Sequence, residues 1–209
     1  MNQRNRRSVA ILSLSALLAL ASCASLGDMA SVIANLQRLK FKIGSVSNFK
    51  LLGIDLGGKA GISDFTPSDV LKLGQSYTSH KLPVEFVMDV LAINPNDGTG
   101  GSPRTSSTLL GLECRLLIDG KPTIMGNIDQ PVEIPGTGQE SVIPLRLSLD
   151  LLEFFGDRRY DDLLGLALAI GGRSGSPARL SLDAQPTVST PLGPITYPGR
   201  VIIISTDFR

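Results

Sequence analysis

From Val84 to Ile93 the apolar side chains fall on every second position. Phe86, Met88 and Val90 take one side and Glu85 and Asp89 the other, and the run stops at Asn94-Pro95-Asn96-Asp97-Gly98. A period of two ending in a dense cluster of turn formers describes a half-buried strand and its corner. The pattern returns at Leu39, Phe41 and Ile43, at Leu112, Cys114, Leu116 and Ile118, and at Ile143, Leu145, Leu147 and Leu149. Further strands are expected over 49–56 (ended by Gly57-Gly58), 123–134 (with Gly126 as a bulge), 179–185, 188–197 (bent by its prolines) and 200–206. Short turns such as Asp119-Gly120 and 135–138 separate them, where a parallel sheet would need helical crossovers. The expected fold is all-β: an antiparallel β-sandwich of seven to nine strands over 37–209, with two short helical insertions.

Those insertions span 57–82 and 151–172. In the first, Thr66 suits an N-cap, Pro67 the first helical position and Asp69 the positive helix end, with Val70, Leu71 and Leu73 as the apolar side. In the second, Asp161 and Asp162 lie in a first turn and Gly171-Gly172 ends the helix. Its apolar face is Tyr160, Leu163, Leu164, Ala167 and Ile170, which either the sandwich or a ligand must cover.

Composition narrows the function classes. Of 209 residues, 42% are hydrophobic and 19% charged, which is a folding rather than a disordered composition. Twenty basic side chains against 19 acidic ones give a net charge of +1, which provides no footprint for nucleic acid. One His and two Cys leave little material for a metal centre or a nucleophile–base pair. No catalytic residue, metal site or cofactor is expected.

The start of the chain has its own logic. Arg4, Arg6 and Arg7 precede an apolar run from Val9 to Ala21, followed by Leu20-Ala21-Ser22-Cys23. A basic start, a short apolar run and small residues before a cut describe a secretory signal peptide, and the run is short for a membrane span. Leu-Ala-Ser-Cys resembles the bacterial lipobox. That resemblance implies removal of 1–22, acylation of Cys23 and a membrane partner held through its acyl groups, with 23–36 as a tether. Ala24 follows the Cys, so a source with two membranes implies the outer membrane, facing the periplasm. Without 1–22 the chain carries 17 basic and 19 acidic side chains, so the lipid rather than net charge would anchor it. Each buried acyl CH₂ contributes about 0.8 kcal/mol, and several chains together hold firmly. Cys114 is then left without a partner in the chain, and its place among Leu112, Leu116 and Ile118 predicts a buried thiol acting as a small hydrophobe.

One ordered block is more specific than periodicity. Val90 to Asn96, ending in Asn94-Pro95-Asn96, is followed by Leu112–Ile118, Asp119-Gly120-Lys121, Gly126, Pro131 to Pro135 and Val142–Leu147. This order resembles the WHy domain (water stress and hypersensitive response) of the type 2 late embryogenesis abundant proteins, over roughly 39–149. The resemblance implies an immunoglobulin- or fibronectin III-like β-sandwich with stress-linked, protective binding and no catalysis. The insertions 57–82 and 151–172 depart from a minimal domain of that kind.

Physics alone accounts for Asn94-Pro95-Asn96 as a strand end. The residue before proline stays extended, proline removes a ladder donor, and asparagine bonds local backbone. His80 lies between Ser79 and Lys81 with no nucleophile motif near it. The Gly-Thr-Gly-Gly at 98–101 lacks the Gly-Lys-Ser/Thr of a phosphate loop. Arg158, Arg159 and Arg173 are offset by Asp157, Asp161 and Asp162. Two functions fit the whole: a lipid-anchored, noncatalytic envelope protein acting by surface contact, or a carrier of a lipid or other hydrophobic ligand with the second helix as its lid.

Overall fold

The computed structural model describes residues 38–99, 104–190 and 193–208. The expected leader (1–22), the tether (23–36) and Cys23 lie outside them. The described residues form an all-β arrangement of two antiparallel sheets and a few helices. In the first sheet the order is β2 (Ile54–Asp55), β1 (Lys40–Leu51), β3 (Pro83–Ile93), β7 (Glu140–Asp150). In the second it is β10 (Val201–Ile203), β8 (Leu180–Thr190), β4 (Ser107–Ile118), β5 (Lys121–Gly126). There β6 (Val132–Ile134) also pairs with β4 and β9 (Gly193–Thr196) with β8. Helix α1 (Pro67–Ser79) occupies the first insertion, and α2 (Leu151–Phe155) and α3 (Tyr160–Gly171) the second. The second insertion thus holds two helices rather than the one expected.

The register follows from the alternation. β3 and β7 pair without interruption from Pro83↔Asp150 to Ile93↔Glu140. Phe86, Met88, Val90, Ile143, Leu145 and Leu147 therefore share one buried face. Leu112, Cys114, Leu116, Leu182 and Ala184 of the second sheet belong to the same core. On one side the sheets are tied by the Ile43 N–H donating to the Ile204 carbonyl at 2.8 Å. β7 is an edge strand, and Pro144 at its middle, opposite Asp89, is exposed.

Three strand expectations are corrected. The run at 39–43 and the start of the run at 49–56 are joined in β1, whose two register shifts lie between Ile43 and Lys50 with a left-handed Asn48 at φ 52°, and the rest of the second run turns at Leu52-Gly53 into β2. These irregularities carry the strand past the alternation break at Gly44–Asn48. The expected strand 123–134 is split into β5 and β6. Gly126 is not the bulge, because the register shift lies between Arg115 and Leu117, while Gly126 pairs with Cys114. A Cβ at Gly126 would lie 3.1 Å from Leu147 and 3.3 Å from the Cys114 sulfur, so the glycine makes room where the sheets meet. β8 runs straight through Pro186. β10 pairs with Leu182–Ala184 and β9 with Thr187–Thr190, so Pro186 falls between the two partners. The Pro186 carbonyl, which accepts from Tyr197 N–H at 2.8 Å, faces that gap, and so does its missing donor.

Helix α3 lies on β1 with Leu163, Leu164, Leu166, Ala167 and Ile170 all buried. Phe49 meets the helix end so closely that a Cβ at Gly171 would lie 2.1 Å from its ring. Phe49 in turn stacks on Phe86 with ring centroids 5.1 Å apart. Burying each Leu is worth about 1.5–3 kcal/mol, which is why the face turns inward. Leu164→Ala is expected to cost about 2–5 kcal/mol in a denaturant titration.

Cys114 is fully buried, and burial pushes its thiol up from 9.0 to about 11, against a smaller opposing pull from the Gly126 backbone. Below pH 9 the thiol is neutral in both states and titration changes nothing; between 9 and 11 only the unfolded chain ionises. Stability is therefore expected to fall as pH rises through that window, and this slope should be smaller in Cys114→Ala when urea midpoints are compared on either side of pH 9, the remainder including Tyr160, whose hydroxyl burial also pushes up.

Candidate functional site

Two places in the described residues concentrate polar or apolar chemistry beyond what the sheets need. They sit at opposite ends of the first sheet.

At the end where β1 begins and β3 stops, the side chains of Asn94 and Asn96 are buried. The Asn94 amide donates to the Thr105 carbonyl at 2.8 Å and to the Ile134 carbonyl at 3.1 Å, with Ser107 Oγ at 3.5 Å. Its oxygen accepts from the Asn96 backbone at 3.1 Å and from Asn96 Nδ2 at 2.9 Å. Arg38 donates to Asn96 Oδ1 at 3.3 Å. The backbone joins in: Gly138 N–H donates to the Asn94 carbonyl at 3.2 Å and Thr105 N–H to the Asn96 carbonyl at 3.0 Å. A Cβ at Gly136 would lie 2.4 Å from the Asn96 carbonyl oxygen, so the following turn closes directly over the motif. Pro95 stands between the two amides, half-buried. The arrangement links the end of β3 in the first sheet to the start of β4 and to β6 in the second. Every capacity of the Asn94 side chain is used within the protein.

At the other end, α1 opens on a capping box. Asp69 N–H donates to Thr66 Oγ1 at 3.2 Å and Thr66 N–H to Asp69 Oδ2 at 3.0 Å. The Thr66 N–H, seconded by Lys59 Nζ at 3.1 Å, holds the Asp69 carboxyl below its ordinary value. Only Leu73 and Ser76 of this helix are buried. Tyr160 of α3 fixes it there, its hydroxyl donating to the Leu73 carbonyl at 3.1 Å and lying 3.2 Å from Ser76 Oγ. Ser76 Oγ donates to the Lys81 carbonyl. The expected apolar side therefore divides: Leu73 faces in, while Val70 is 55%, Leu71 64% and Tyr77 64% exposed. Ile62, just before the helix, is 58% exposed. Gly74 lies among them, and a Cβ there would meet nothing within 4 Å. On the other flank of the helix, past Leu71, runs an open groove of about 510 Å³ lined by Leu52, Lys72, Gln75, Ser76, Ser79, Lys81 and Pro83.

The remaining residues singled out in the sequence fall elsewhere. His80 is the exposed C-cap of α1, in the left-handed region at φ 52°. Asp161 and Asp162 lie in the first turn of α3, both exposed. Arg158 is bound to Asp119 at 3.2 Å, and Arg179 grips the same carboxylate through two contacts of 2.6 Å. Arg179 first, then Arg158, holds the Asp119 carboxyl below its ordinary value. Arg159 lies 3.7 Å from Asp161, and Arg173 donates to the Gly58 carbonyl at 2.9 Å. Within the glycine-rich loop, Thr99 folds back on Asp97, its N–H at 2.9 Å and its hydroxyl at 2.6 Å from Oδ1; residues 100–103 lie outside the described ones. Among the described residues no group of three or more His, Cys, Asp or Glu side chains is placed to hold a metal.

No family model matches the chain, and no curated protein does. Among solved structures, the crystal structure of a protein from Archaeoglobus fulgidus aligns over 80% of this chain and 93% of its own, at 12% identity and a TM-score of 0.34.

Removal of the Asn94 amide takes one donor each from the Thr105 and Ile134 carbonyls, the second of them buried. Asn94→Ala is expected to cost about 2–4 kcal/mol, read as a lowered urea midpoint. Asn94→Asp should cost at least as much near neutrality and recover part of it in acid, where a protonated carboxyl can donate.

Proposed function

We propose that this chain is a lipid-anchored, noncatalytic envelope protein that works through surface contacts of an immunoglobulin- or fibronectin III-like β-sandwich related to the WHy domain. Cys23 is the acylated residue, with 1–22 removed, and the tether 23–36 leads into the sandwich. In a cell with two membranes its place is the outer membrane, facing the periplasm, and a protective, stress-related role follows from the WHy relationship.

The observation that carries this reading over a hydrophobic-ligand carrier is the contrast between the two insertions. Helix α3, which would be the carrier's lid, has Leu163, Leu164, Leu166, Ala167 and Ile170 buried in the protein core. Helix α1 instead leaves Val70, Leu71 and Tyr77 facing outward, as a contact surface would. The buried Asn94–Asn96 pair at the end of β3 supports the WHy relationship, because it puts the Asn-Pro-Asn of that family at a sheet-to-sheet corner.

The test is Cys23→Ser. The wild-type chain is expected in the membrane fraction with acyl groups on Cys23, visible as a mass increase on the N-terminal peptide. The variant should appear as unprocessed precursor or as soluble protein. Wild-type levels of acylated, membrane-bound variant would remove Cys23 from the account.

A further inference from the structure

Of the seven large hydrophobic side chains exposed among the described residues, three lie on α1 and a fourth, Ile62, just before it. A glycine inside a helix costs about 0.5–1 kcal/mol relative to alanine, and Gly74 sits where a side chain would meet nothing. Val70, Gly74 and Tyr77 recur at helical spacing, with Leu71 beside them, and Ile62, in the turn that precedes the helix, is exposed as well.

Dimensions weigh against two occupants. The apolar positions of the tether, Met29 to Leu36, enter the sandwich at residue 38, at the far end of the first sheet from α1. Nine residues from Met29 reach about 30 Å when extended, whereas the 12-residue β1 is about 40 Å long. A second copy of this chain is poorly matched as well. The four exposed side chains amount to roughly 400–500 Å², about half of the ~800 Å² per partner that a stable pair buries.

A bilayer surface needs no such area and no complementary shape. Leu71, Val70 and Ile62 suit the acyl boundary, and a tyrosine with an apolar ring and a polar tip suits the interface. Across Leu71 from Val70 and Tyr77, the other flank of the helix carries Lys72. Lys72 and Lys81 border the groove beside it, and neither makes an ion pair among the described residues. Asp69, the acid of that helix, is already held by Lys59. The tether does not forbid the contact: the 15 residues from Cys23 to Arg38 span about 50 Å when extended, more than the length of β1.

We propose that the exposed side of helix α1, with Leu71 at its centre, Val70 and Tyr77 on one flank and Lys72 with the following Lys81 on the other, docks together with Ile62 on the surface of an anionic phospholipid bilayer. This deepens the lipid-anchor reading and rests on it: the acyl groups hold the chain at the membrane, and α1 orients the sandwich against it.

The experiment uses the intact acylated protein in vesicles of phosphatidylcholine with a minority of phosphatidylglycerol. Leu71→Cys carries an environment-sensitive fluorophore, and Ile202→Cys, exposed on the second sheet, carries the control. Cys23 is then acylated and Cys114 is buried, so labelling is confined to the new thiol. A blue shift and protection from aqueous iodide at position 71, with position 202 still quenched, is the expected result. The double variant Lys72→Glu, Lys81→Glu should return the position 71 probe to water while the protein still floats with the vesicles. Flotation with position 71 as wet as position 202 overturns the docking and leaves the anchor standing. A position 71 probe shielded equally without vesicles, at doubled mass in solution, replaces the bilayer by a second copy and overturns the proposal. A wild-type chain that remains in the aqueous fraction overturns the anchor and the docking together.

Discussion

Where a chain leaves one sheet and enters another, its backbone polar groups lose their ladder partners and must be paired by something else. In this protein that work falls to the buried side chain of Asn94. Its two donors reach carbonyls at Thr105 and Ile134, on segments 11 and 40 residues away, and its oxygen takes two donors from Asn96. A hydrophobic side chain in its place would fill the space but break all four of these hydrogen bonds. A serine could not span the two carbonyls. The closing of the turn over Gly136, the start of β4 and the register of β6 all meet at this one amide.

The interior beyond it is built by subtraction as much as by filling. Gly126 yields room to Leu147 and Cys114, and Gly171 yields room to Phe49. Each allows backbone of one layer to approach side chains of another, so that the two sheets and α3 share one core. The thiol at Cys114 belongs to this fitting: it lies beside Gly126, its partner on the neighbouring strand, and its raised ionisation point is the electrical sign of its burial.

The inward faces of β3, β4 and β7 were legible in the sequence, because alternation of apolar and polar residues is a direct image of a sheet with one wet side. The N-terminus of α1 was equally legible from Thr66, Pro67 and Asp69. Continuity was not. Nothing local says that the strand from Lys40 survives two register shifts, or that β8 passes through Pro186, since the second depends on β9 and β10 leaving a gap at that point. The orientation of α1 was also hidden. Val70, Leu71 and Leu73 look alike in sequence, and only the Tyr160 hydroxyl and the Ser76–Lys81 contact decide that Leu73 turns in. The Asn-Pro-Asn was legible as a strand end, but its partners at Thr105 and Ile134 were not, because no periodicity connects them.

The edge strand β7 carries a consequence of its own. An open edge is a template on which a neighbouring chain can lay a further strand, and repetition of that event builds fibrils. Pro144, exposed at the middle of β7, offers no N–H to such an arrival, and Arg146 two residues on is paired with Asp129 at 3.4 Å, which brings the segment before β6 alongside the same edge. However densely these molecules are packed side by side, the ladder of hydrogen bonds that would weld them together is interrupted at its centre. They can crowd without polymerising through that edge.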